Sequence, residues 1–176
     1  MSTTATPRTG TPSSTVIADL SHEAATTRRV LERAPVETHF DWKPHPKSMS
    51  LGQLTGHLAN VPLWGSITLG TTELDFAQPS PRSPEARTRE ALLAQFDEKV
   101  RDLTTALAEA SGETLGGTWT ARRGDHVVFA LPRAAILRGM VVNHMIHHRG
   151  QLSVYLRLLD VPVPSIYGPS ADEDQG

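Results

Sequence analysis

No cysteine occurs anywhere in this sequence of 176 residues. Disulfides, thiolate metal ligands and a cysteine nucleophile are thereby excluded, which leaves His, Asp and Glu as the side chains able to hold a transition metal. An excess of one charge is also missing: 17 Lys and Arg stand against 19 Asp and Glu, a formal net charge of -2. The basic residues are scattered, and no block of them would track a phosphate backbone or an anionic membrane surface, so nucleic acid is not an expected partner. No stretch approaches the roughly 18 consecutive apolar residues that a membrane span requires. Met1 to Ser14 is rich in Ser, Thr and Pro and lacks the apolar run of a secretory signal. The expectation is a soluble, cytoplasmic protein with no membrane partner.

What is present is enough for one hydrophobic core, since 38% of the residues are apolar. Residues 1–14 cannot bury apolar surface and read as a flexible arm; residues 15–176 read as a single domain. From Val16, the positions Ile17, Leu20, Ala24, Val30, Leu31 and Ala34 recur at helical spacing until Pro35 ends the run. A loop rich in breakers, with Pro44 and Pro46, leads to Ser48 or Ser50 as an N-cap. A second helix carries Leu51, Leu54, Leu58, Val61 and Ile67. Pro62 lies inside it and predicts a kink near Leu58 to Pro62 or an early end.

Thr71 to Arg82 has prolines and no period, and reads as a long crossing connection. Ser83 followed by Pro84 predicts the start of a third helix, with Leu92, Leu93, Phe96, Val100, Leu103 and Leu107 as its stripe and Gly112 as its end. Gly117 to Leu131 turns β-prone on either side of Arg123, Gly124 and Asp125, which predicts a short hairpin. After Pro132 a proline-free run from Arg133 to about Leu159 predicts the longest helix. The tail from Val161, with Pro162, Pro164 and Pro169, should be irregular.

Eight histidines would yield about a third of an H-x-x-x-H pair by chance, so the spacing of His144 and His148 says little by itself. Their position says more. At about 100° per residue, Leu137, Val141, His144, His148, Tyr155 and Leu159 share one narrow arc, the one a packed helix turns toward its partners. Two imidazoles stacked one turn apart in a core lose hydration and repel if either is protonated, and a bound cation removes that conflict. His57, at the edge of the apolar arc of the second helix, is the candidate third ligand; taken alone, it also reads as a partly buried, hydrogen-bonded histidine. His22, His39, His45 and His126 read as solvated, and His147 lies off the inward arc. Glu23 on the first helix is a candidate general base, with a solvated helix residue as the alternative. Tyr155 and Tyr167 are candidate donors, and Tyr155 and Trp64 can also serve simply as core filling.

The run N-H-M-I-H-H-R-G-Q-L-S-V-Y-L-R-L-L (Asn143 to Leu159), the segment L-G-Q-L-T-G-H-L-A-N (Leu51 to Asn60) and the tail V-P-S-I-Y-G-P-S-A-D-E (Val163 to Glu173) resemble the DinB-like family of bacterial metalloproteins. The stretches His22 to Arg33 and Asp41 to Ser50 extend the likeness over nearly all of residues 18–173. The resemblance implies an all-α four-helix bundle, up-down-down-up, here with a short β-hairpin before the last helix, and a homodimer as the usual assembly. It also implies a divalent ion, zinc or nickel, held by His57, His144 and His148. Relatives include transferases and isomerases that use low-molecular-weight thiols. Two functions follow as expectations: a metal-dependent transferase or hydrolase acting on a small molecule, with a thiol as one partner, or a non-catalytic stress or sensor protein with a structural metal.

Overall fold

The structure is a computed structural model that describes residues 12–79 and 83–173. Most of the expected N-terminal arm, residues 1–11, lies outside the described residues. The chain is mostly helical, with one small sheet.

Helix α1 spans Pro12–Glu32 and therefore begins four residues before Val16. Its Leu20, Ala24, Val30 and Leu31 are buried, and after it Ala34 and Val36 continue into the core. The short α2, Val36–His39, follows Pro35. Helix α3, Leu51–Gly70, starts at Ser50, whose hydroxyl accepts from the Gln53 amide at 3.1 Å while the Gln53 side chain accepts from the Ser50 amide at 2.9 Å. This reciprocal cap satisfies two backbone donors that a helix start leaves open. The helix does not end early at Pro62. It continues to Gly70, with Leu58, Ala59, Val61 and Pro62 all buried, so packing on both sides of the proline offsets its missing donor.

The third long helix, α4, runs Arg89–Glu109, and it corrects two expectations. Thr88, not Ser83, is the cap, accepting from the Ala91 amide at 3.2 Å. The Arg89 amide donates to Glu37 at 2.6 Å, tying the helix start to α2. Pro84 lies ahead of the helix, its carbonyl taken by the Gln95 side chain at 3.0 Å. Gly112 does not end this helix; it opens a further short one, α5, Gly112–Gly116, capped by Ser111.

The expected irregular connection after α3 contains a strand, β1, Glu73–Asp75. It pairs in parallel with β2, Thr118–Arg123, which pairs antiparallel with β3, His126–Pro132, as the predicted hairpin. Gly124, at φ +59°, makes the turn in a backbone region costly for a residue with a Cβ. Asp75 fixes the parallel strand by accepting from the Gly124 amide at 2.9 Å and pairing with Arg122 at 3.0 Å. Three residues are too few for an alternating pattern, so β1 carried no signal of its own.

The last helical run is continuous but not uniform. It comprises α6, Arg133–Ile136, a π-helical segment, Leu137–Asn143, and α7, His144–Leu158. Helix α1 packs on α4 and α7, and α3 packs on α4 and α7, around a core that includes Leu31, Leu54, Leu58, Phe96, Leu103, Leu152 and Leu156. A second cluster, Trp119, Ala121 and Ile136, joins the sheet to the helices, with the Trp119 indole N–H donating to Thr71 at 2.9 Å. The tail from Val161 has no helix or strand among its described residues. Nor is any helix among the described residues long and apolar enough to cross a membrane.

Candidate metal centre

His57 stands on the second turn of α3, and His144 and His148 stand one turn apart at the start of α7. Because α3 packs on α7, residues 87 positions apart in the chain meet: the Nε2 atoms of His57 and His144 are 2.8 Å apart. The Nε2 atoms of His144 and His148 are 2.9 Å apart. One nitrogen from each of the three rings lies within 4.8 Å of the others. The rings meet edge to face, with centroids 4.5 Å apart for His57 and His148, 4.5 Å for His144 and His148, and 5.1 Å for His57 and His144.

The donor set fits a cation. The Nδ1–H of His148 donates to Gln151 Oε1 at 2.7 Å, so a neutral His148 presents only a lone pair at Nε2. The His144 Nε2 faces two nitrogens at hydrogen-bond distance, and one ring nitrogen has at most one proton to share between them. A single ion can take all three lone pairs. Two nitrogens each about 2.0–2.1 Å from one ion lie about 2.9 Å apart when they subtend a right angle, close to the two separations found here. Burial holds the His144 pKa below its ordinary value, and the neighbouring His148 and His147 lower it further. Burial also lowers that of His148, against the Gln151 hydrogen bond, which raises it, while His147 lowers it again. Both shifts favour the neutral form that binds metals.

The other candidates go elsewhere. Glu23 is buried but is not part of the nitrogen cluster: its carboxylate pairs with the buried Arg149 at 2.7 Å and accepts from the Tyr167 hydroxyl at 2.8 Å. The solvated reading of Glu23 is thus overturned, because an inward Arg149 gives its charge a partner. Tyr155 donates to the Met49 carbonyl at 3.1 Å and meets Trp42 edge to face. His22, His39, His45 and His126 are exposed; His147 is exposed too, with its ring 4.9 Å from that of His148. Sequence reasoning gave no role to Gln151 or Arg149. Gln151 lies three residues after His148, one helical turn away, and that spacing is the signal that could have found it.

A cavity of about 490 Å³ opens along α3 and reaches the cluster at His57. Its lining includes Phe40, Gly52, Gly56, Asn60, Trp64 and Glu85.

A helical protein with three imidazoles converging from two packed helices beside a cavity is the class that fold and site define. The sequence matches the DinB family over residues 1–175, and the chain belongs to that family. It is 29% identical over 131 residues to the uncharacterized protein YrdA of Bacillus subtilis (strain 168), covering 72% of this chain and 71% of that one. In fold it is similar to the DinB-like protein YjoA of Bacillus subtilis, with a TM-score of 0.69, 18% identity, and coverage of 88% of this chain and 99% of the other. A DinB-like protein from Bacillus cereus ATCC 10987 gives a TM-score of 0.64 at 21% identity, over 86% of this chain and 95% of the other.

Proposed function

We propose that this protein binds a divalent transition metal, zinc or nickel, through His57, His144 and His148. In this reading it is a cytoplasmic, metal-dependent transferase or hydrolase that acts on a small electrophile, with S-transfer from a low-molecular-weight thiol as one form of the reaction. The observation that carries it is the convergence of three Nε2 atoms, one of them on His57, which lines a ligand-sized cavity. Three protein ligands leave coordination positions free, which separates catalytic from closed structural sites. A bound divalent ion supplies Lewis acidity to a small molecule sharing that cavity. The chain's own residues position it: α3 presents His57 to the cavity, and Gln151 holds His148 in the ligating tautomer.

The scaffold in this reading is a four-helix bundle, up-down-down-up, formed by a single domain over residues 15–176 and assembled as a homodimer. The bundle is supported by the mutual packing of α1, α3, α4 and α7 and by the likeness in fold to the two Bacillus structures. No nucleic acid or membrane takes part.

One observation favours a second reading. The cluster joins α3 to α7, so a metal there would also pin two helices, as in a non-catalytic stress or sensor protein. Metal analysis of untagged protein tests both readings: about one equivalent of metal is expected, with His148→Ala losing most of it and melting lower, since a ligand that binds only the folded state stabilises it. Less than about a tenth of an equivalent, with none taken up on titration, sinks metal binding altogether. Turnover with thiols and electrophiles by the loaded protein then separates enzyme from sensor.

A further inference from the structure

The cavity beside His57 has a composition that specifies what it can hold. Its volume, about 490 Å³, lies in the range that encloses one small organic molecule. Phe40, Leu63, Trp64, Ile67 and Leu74 supply aromatic and aliphatic walls. No Lys or Arg is among the described residues lining it, and the one carboxylate among them is that of Glu85. Arg87 stacks on the Phe40 ring, 4.1 Å from its centroid, but its guanidinium is paired with Glu85 at 3.0 Å. With no metal bound, an anion entering here would lose its hydration against apolar walls, with no Lys or Arg among the described lining residues to compensate.

Two features mark the α3 wall of this cavity. Gly56 lies directly before His57, and a Cβ placed there meets nothing within 4 Å, so the helix leaves that stretch of wall bare. Glycine in a helix interior is costly, by about 1 kcal/mol relative to Ala, and no packing partner explains it at this position. Asn60, one turn further along the same wall, donates its Nδ2 to the Gly56 carbonyl at 2.8 Å, while its Oδ1 is buried without a hydrogen-bond partner.

We propose that this cavity binds the uncharged, aromatic or branched aliphatic body of the substrate, a molecule of about a dozen non-hydrogen atoms, and that its walls, apart from coordination at the metal, disfavour anionic molecules of the same shape. The inference rests on the functional reading above for the word substrate, but the binding preference belongs to the cavity. The reacting group would lie at His57, and the apolar body would extend along α3 toward Trp64 and Ile67.

The test uses two probes that share a naphthylmethyl body and differ in charge, 1-naphthalenemethanol and 1-naphthaleneacetate, with binding measured by equilibrium dialysis against the full chain, both metal-loaded and chelator-stripped. The stripped protein removes direct coordination of the carboxylate from the comparison. The alcohol should bind at one equivalent, at least tenfold more tightly than the acetate to the stripped protein. Gly56→Leu, which projects a side chain into the cavity, should weaken the alcohol at least tenfold while metal stoichiometry and melting temperature are retained. Gly56→Ala provides a smaller step in the same direction should the larger side chain prevent folding. Equal affinity for both probes in the stripped protein, no binding of the alcohol, or undiminished binding to a folded Gly56 variant each overturns the proposal. Probe binding by a protein that takes up no metal would leave the cavity's specificity standing and remove the metal reading, so the two failures are distinguishable.

Discussion

The Nδ1 of His148 donates to Oε1 of Gln151 at 2.7 Å, and that contact orients the opposite nitrogen of the ring toward His144 and His57. The tautomer of a ligating histidine is set by what its other nitrogen does. Gln151→Leu removes the acceptor and lets the proton move to Nε2. Metal affinity, measured by competition with a chromophoric chelator, should fall about 10- to 100-fold, the usual effect of losing such an outer partner. Gln151→Glu should retain most of the affinity, because a carboxylate accepts from Nδ1–H equally well. A Leu variant that binds as tightly as the parent would show that the ring needs no such support.

Helices α3 and α4 approach closely at Gly65, where a Cβ would lie 2.6 Å from a Leu103 methyl carbon. Leu103 is itself buried, so it has little room to give. Gly65→Ala should therefore destabilise the fold by about 1–3 kcal/mol, the usual cost of overpacking, despite the better helix propensity of alanine. Chemical denaturation of metal-free protein would measure it; an unchanged or raised midpoint contradicts the close packing of these two helices.

The contrast between Gly56 and Gly65 shows where sequence legibility ends. Both lie in one helix with similar neighbours, and only the packed structure distinguishes a glycine facing a cavity from one facing Leu103. The helices themselves were legible, because apolar residues at 3.6-residue spacing and terminal prolines are local signals. So were the hairpin and the inward placement of His144 and His148. The π-helical stretch before His144 was not, since it alters the turn without altering the apolar pattern, and a uniform wheel passes over it. Ser83–Pro84 was a sound local cap signal that lost to Thr88, whose helix start also gains Glu37 as an acceptor. The partnership of Glu23 with Arg149 spans 126 residues and left no trace in spacing.

That partnership is a stability device with a measurable size. Arg149 is 1% exposed and Glu23 8%, and the guanidinium also donates to the Glu23 carbonyl at 3.2 Å and to Thr27 at 3.3 Å. Removing one partner leaves the other charge buried and uncompensated, which typically costs about 3–5 kcal/mol. Glu23→Ala should approach that loss in denaturant unfolding, whereas the double replacement Glu23→Leu with Arg149→Met should cost much less. If the single variant loses under about 1 kcal/mol, the pair is not acting as a buried salt bridge.

The last prediction concerns acid, and its sign follows from the histidines. Burial and neighbouring rings lower the pKa of His144, and burial lowers that of His148, from an ordinary value of about 6.5. In the unfolded chain both rings protonate as the pH falls through about 6.5, while in the folded chain they remain neutral to lower pH. Between those two limits the unfolded state binds more protons, so stability falls as the medium is acidified. Above about pH 7 neither state is protonated and the effect vanishes. Metal-free protein should thus lose stability progressively below about pH 6.5, and bound metal should move the onset lower, because it occupies the nitrogens that protons would take. The comparison is urea unfolding at pH 7.5 and pH 5.5, with and without metal, for the parent chain and for the variant with His144→Gln and His148→Gln. A parent chain whose loss between the two pH values equals that of the double variant would locate the acid sensitivity elsewhere, in the carboxylates.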